Sequence, residues 1–131
     1  MRSQEKFVYE DDELQVEFVI GQATTAEGIR RVALQARAEA SESPPSPDEE
    51  GRYRWFKQRW EYPACIAGTT NIRDIDPEKP SGITLDMSFE DWLNLPDALT
   101  ATWAERVVAK NPHWNPFFRA SATRGDGSMT S

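Results

Sequence analysis

Residues 14–20, LQVEFVI, place Leu14, Val16, Phe18 and Ile20 on one side of an extended chain and Gln15, Glu17 and Val19 on the other. Strict alternation of this kind marks a half-buried strand. It constrains the fold more than any other feature, because the apolar side of such a strand must be covered. Residues 6–10, KFVYE, read as a second, shorter strand, with the acidic Asp11-Asp12-Glu13 as the turn between them. A two-stranded hairpin alone is marginal in water, so helices must supply the cover. The expected fold is α+β and mainly helical, an N-terminal β-hairpin packed on about four α-helices.

The helices are marked by their caps and breakers. Thr24 stands three residues before Glu27, the spacing of a capping box. The stretch that follows, to about Ala40, carries Ile29, Val32, Ala33, Ala36 and Ala40 at helical intervals, a narrow stripe of mostly small residues read as the side that lies against a neighbouring helix. Residues 41–51, SESPPSPDEEG, cannot bury apolar area or continue a helix and are expected to form a flexible acidic loop. In the next segment Tyr53, Phe56 and Trp60 share one helical face, and Trp55 lies roughly opposite. Pro63 either kinks that helix or starts another, and the small residues after it extend a helix to about Asn71. Residues 73–84 read as a second loop. Ser88 with Asp91 caps a short helix that turns Phe89, Trp92 and Leu93 inward. Pro96 fits the first position of a last helix with a Leu99, Trp103, Val107 stripe, and Asn111-Pro112 stops it. Residues 1–118 are thus expected to form one globular domain, and 119–131, which lack an apolar pattern, a disordered tail.

Charge and chemistry narrow the function. The net charge is −7, and all of the excess sits in residues 1–50, with five Lys or Arg against twelve Asp or Glu. Nucleic-acid binders normally show a basic stripe instead, so no nucleic-acid partner is expected. The longest apolar runs fall far short of the roughly 20 residues of a membrane span, and the acidic N-terminal stretch is unlike a signal peptide. A single Cys and a single His cannot build a zinc site of the usual kind. Glu10-Asp11-Asp12-Glu13 and Asp48-Glu49-Glu50 lack the spaced ligands of a calcium loop. Cys65 reads as a small buried hydrophobe, and His113 as a cap or surface contact. Arg124-Gly125-Asp126 is too short a match to carry meaning. No enzyme, catalytic residue, cofactor or metal is expected. Trp60, Trp92 and Trp103 fall on core stripes. Trp55 and Trp114 do not, and with Phe117 and Phe118 they are the candidate partner-binding residues, since exposed aromatics are frequent interaction anchors.

Several motifs then occur in order: Trp60-Glu61-Tyr62-Pro63-Ala64, Phe89-Glu90-Asp91-Trp92-Leu93-Asn94-Leu95-Pro96, and Ala101-Thr102-Trp103 running to Asn111-Pro112-His113-Trp114. In these the chain resembles the tail assembly chaperones of long-tailed, siphovirus-type phages. The resemblance implies a protein of the host cytoplasm, without catalytic residues, that binds the tape measure protein and keeps it soluble while the tail tube assembles. It also implies that a frameshifted longer form recruits the tail tube protein. Self-association stays open. Two other readings stand beside it: a structural tail or head completion protein of the virion, and an acidic DNA mimic that inhibits a nucleic-acid enzyme.

Overall fold

The computed structural model describes residues 3–41 and 48–115. Strands β1 (Gln4–Glu10) and β2 (Gln15–Gly21) form the expected hairpin, with Phe7 opposite Phe18 and Tyr9 opposite Val16. Asp11 organises the turn. One carboxylate oxygen accepts from the Glu13 and Leu14 amides and the other from the Tyr9 hydroxyl. These bonds, the tyrosine's first, hold the Asp11 carboxyl below its ordinary pKa.

A third strand, β3 (Thr69–Asp74), corrects the expectation of a helix to about Asn71. It pairs antiparallel with β2, so β2 is central and the order is β1-β2-β3. A two-stranded hairpin thereby becomes a sheet with one covered face, the minimum for a stable half-buried sheet. Val16, Phe18 and Ile20 line that face and are fully buried, as the alternation predicts.

Helix α1 (Thr25–Ser41) opens on the predicted capping box. The Glu27 amide donates to Thr24 Oγ1 at 3.2 Å, and the Thr24 amide to Glu27 Oε1 at 2.9 Å. Helix α2 (Glu49–Phe56), capped by Asp48, includes Glu49–Gly51 of the segment expected to be loop; residues 42–47 lie outside the described residues, as do 119–131. From α2 the chain continues through a π-helical turn (Lys57–Glu61) into α3 (Tyr62–Ala67).

Pro63 explains that turn. Its ring has no N–H for the Arg59 carbonyl, and in a regular α-helix it would clash there. Widening the helix by one residue relieves the clash: the Tyr62 amide reaches back to the Lys57 carbonyl. The stranded Arg59 carbonyl accepts instead from Gln35 Nε2 of α1 at 3.0 Å. The break in one helix thus becomes the tie that holds α1 against it.

Helices α4 (Phe89–Leu93) and α5 (Asp97–Lys110) close the fold. Ser88 caps α4 as expected, accepting from the Asp91 amide. Pro96 occupies the N-cap of α5, one position before the one expected. Leu99, Trp103 and Val107 point into the sheet and are completely buried. Trp103 meets Phe18 with ring centroids 4.6 Å apart, and Phe18 stacks on Phe7 at 4.8 Å. The Trp103 indole N–H donates to Thr69 Oγ1 at 2.7 Å, and that hydroxyl donates to the Cys65 carbonyl. Buried Cys65 keeps its proton, because burial pushes its pKa well up.

Gly68, between α3 and β3, leaves room for the last elements. A Cβ there would stand 2.3 Å from Val107 Cγ1 and 3.1 Å from the Trp114 ring. Gly68→Ala is expected to destabilise the protein by about 1–3 kcal/mol through overpacking, read as a lower urea midpoint with an unchanged slope. An unchanged midpoint would show that Val107 and Trp114 shift freely.

Candidate partner-binding surface

Helix α1 is amphipathic, but its apolar stripe faces away from the protein. Ile29 is 65% exposed and Val32 52%, and Ala33 and Ala36 are exposed beside them. This corrects the reading of the stripe as a packing face. The side of α1 that meets the body carries Leu34 and Ala38, with Gln35 bonded to Arg59 and Arg31 folded inward.

A shallow groove of about 640 Å³ runs along the stripe. Thr25, Ile29, Val32 and Ala36 form one wall, and His113 and Trp114 the other. The second wall is set by a 3₁₀ turn (Pro112–Trp114) immediately after α5. The Trp114 amide donates to the Asn111 carbonyl at 2.8 Å, which folds the chain back and lays the indole against Gly68 and Val107.

Trp114 is therefore only 3% exposed, a correction to the expectation of an exposed anchor. Its indole is a wall between two hollows. On its other side a smaller groove, about 300 Å³, is lined by Phe56, Trp60, Ala101, Ala104 and Val108. Trp60 belongs to that groove and is half-buried, not part of the core. Trp55 is half-buried too, with the Arg59 guanidinium 4.7 Å over its ring and Ala38 beside it. Tyr53, expected inward, is 69% exposed, and α2 buries no residue. Phe117 and Phe118 lie outside the described residues. Trp92 and Trp103 are buried, as expected.

The groove is mostly apolar, but Arg31 lies within it. The Arg31 guanidinium lies 5.0 Å over the Trp114 ring. Its Nε is buried without a hydrogen-bond partner among the described residues, and desolvation lowers its pKa. Arg30 donates to the Leu85 carbonyl. Among the described residues no three His, Cys, Asp or Glu side chains gather as metal ligands, and no helix is long and apolar enough to cross a membrane.

No family model, curated protein or solved structure matches this chain.

Ile29 and Val32 are the functional candidates that reading the sequence missed. Their spacing was visible; their direction was not. The signal available was the weakness of the stripe itself, which puts one Ile and one Val among alanines, too little apolar surface for the principal packing face of a helix this long.

Proposed function

We propose that this protein is an assembly chaperone of the kind found in long-tailed phages, acting in the host cytoplasm without catalytic chemistry. Its task is to hold the tape measure protein soluble until the tail tube encloses it. The observation that carries this reading is the outward apolar stripe of α1, with Ile29 and Val32 more than half exposed beside a groove walled by Trp114. A contiguous exposed apolar patch on a small acidic protein marks an interaction surface. An amphipathic helix lying in such a groove buries its apolar stripe through anchors at i, i+3, i+4 and i+7. A tape measure protein is long and helical, and before assembly it exposes stripes of that kind. The groove is open and shallow, which suits a partner that must later be released.

Co-expression with fragments of the neighbouring tape measure gene tests the reading. Wild type should keep the fragments soluble and co-purify with them. Ile29→Asp combined with Val32→Asp should weaken binding about thirtyfold or more, the effect of removing a true anchor. Both side chains already face water, so the circular dichroism spectrum and melting temperature should hardly change. A folded double variant that solubilises the fragments as well as wild type would overturn the proposal.

A further inference from the structure

The edges of the α1 stripe say what kind of helix fits it. At about 100° per residue, Arg30 and Arg37 follow one another along one edge, two turns apart. On the other side of the stripe lies the groove, on whose floor Arg31 sits over Trp114. The acids of α1 are engaged elsewhere: Glu27 closes the capping box, and Glu39 pairs with Arg59. Arg37 makes no ion pair or hydrogen bond among the described residues. Among the described residues Arg30 donates to a neutral carbonyl and forms no ion pair, and Arg31 Nε has no acceptor. A chain of net charge −7 thus sets beside an exposed apolar stripe cations that no carboxylate among the described residues neutralises.

We propose that the α1 groove selects an amphipathic helix whose apolar stripe is flanked by carboxylates, which meet Arg31 in the groove on one side and Arg30 and Arg37 on the other. This rests on the reading of α1 as the docking face and names its partner by charge pattern.

Covering the groove takes Arg31 further out of water, which is unfavourable unless an anion accompanies the cover. A carboxylate supplies a charge-assisted, bidentate acceptor for a guanidinium. A lysine-flanked helix is drawn by the net charge at long range but finds like charge at contact. A second copy of this chain is disfavoured twice, because self-pairing sets arginine edges against arginine edges and one net negative charge against another. Gly28, Ala33 and Ala36 keep the wall low, so a partner backbone can come close.

The test uses the full chain and two synthetic helical peptides, about 20 residues long. They share one Leu/Ala stripe and differ only in carrying Glu or Lys at the flanking positions. Binding is read by fluorescence anisotropy at low and high salt. The Glu-flanked peptide should bind at least tenfold more tightly, and the ratio should shrink at 0.5 M salt, where the screening length falls to about 4 Å. Arg37→Glu should reduce or reverse the preference while the melting curve stays the same. Ile29→Asp should weaken both peptides alike. Equal affinities, a Lys preference or binding of neither peptide would each overturn the inference. So would a concentration-dependent dimer broken by Val32→Asp, which would make a second copy the occupant, or binding by a chain ending at Asn115 but not by the full chain, which would make residues 116–131 the occupant. If Ile29→Asp with Val32→Asp still abolishes tape measure binding while the peptides show no charge preference, the chaperone reading stands and only the charge rule fails.

Discussion

Trp103→Ala is expected to lower the unfolding free energy by about 3–5 kcal/mol. Whole domains are stable by only about 5–15 kcal/mol, so this one substitution removes a large share of the margin. The indole is completely buried, and it is the piece that joins the two layers. It meets Phe18 of β2 on one side, and its N–H reaches Thr69 at the start of β3. Alanine removes that contact area and leaves a cavity that the sheet can fill only by bending. Trp103→Phe separates the two contributions. It keeps a ring against Phe18 but leaves Thr69 Oγ1 without the indole donor, which corresponds to about 1 kcal/mol for a single hydrogen bond. Urea unfolding followed by far-ultraviolet circular dichroism measures both variants. A loss below about 1 kcal/mol for the alanine variant would mean that the sheet and α5 are joined elsewhere.

Asn111→Ala should be nearly as damaging, although it removes only a small polar side chain. Asn111 is 1% exposed. Its Oδ1 accepts from the Ala23 amide at 2.8 Å, and its Nδ2 donates to the carbonyls of Gly21 at 2.9 Å and Val107 at 3.1 Å. Those groups belong to the exit of β2, the approach to α1 and the last turn of α5. Alanine leaves an amide and a carbonyl without partners in a poorly hydrated site, at about 1–3 kcal/mol for each. Asn111→Asp should be no better. A carboxylate can still accept from Ala23, but it faces two carbonyl oxygens and has no hydrogen to offer them. Thermal melts should show the loss, and amide exchange should accelerate most at Ala23. Unchanged protection there would mean that the approach to α1 is held by other contacts.

The parts of the fold legible in the sequence are those fixed by local chemistry. The period of residues 14–20 placed β2, and the spacing of Thr24 and Glu27 placed the start of α1. Leu99, Trp103 and Val107 were legible because their i, i+4, i+8 spacing sets three large apolar residues in one row along a helix. The rest depended on neighbours. β3 was hidden because Ala64–Ala67 continue a helical composition up to Gly68, and only the paired Thr69-Thr70 hint at a strand. The stripe of α1 was visible but its direction was not. Periodicity locates an apolar side, whereas the core accepted Leu34 and let Gln35 answer the carbonyl stranded by Pro63. Trp114 was placed outside because Asn-Pro ends a helix; that the chain would fold straight back depended on the missing side chain of Gly68, 46 positions earlier.

The groove beside α1 draws its walls from segments far apart in the described chain, α1 and the turn at 112–114. The bonds that set them span it as well, since Ala23 and Asn111 are 88 residues apart. During synthesis, at about 5–20 residues per second, α1 leaves the ribosome roughly 4–18 seconds before its opposite wall exists. Until then the stripe is half a site, with neither Trp114 nor a fixed Arg31 beside it. Under the proposed function, binding competence would therefore arrive late, and a copy that stopped short of Trp114 would carry the apolar helix without its groove. Capture of a helical partner would then report that α1 and the turn carrying Trp114 had come together.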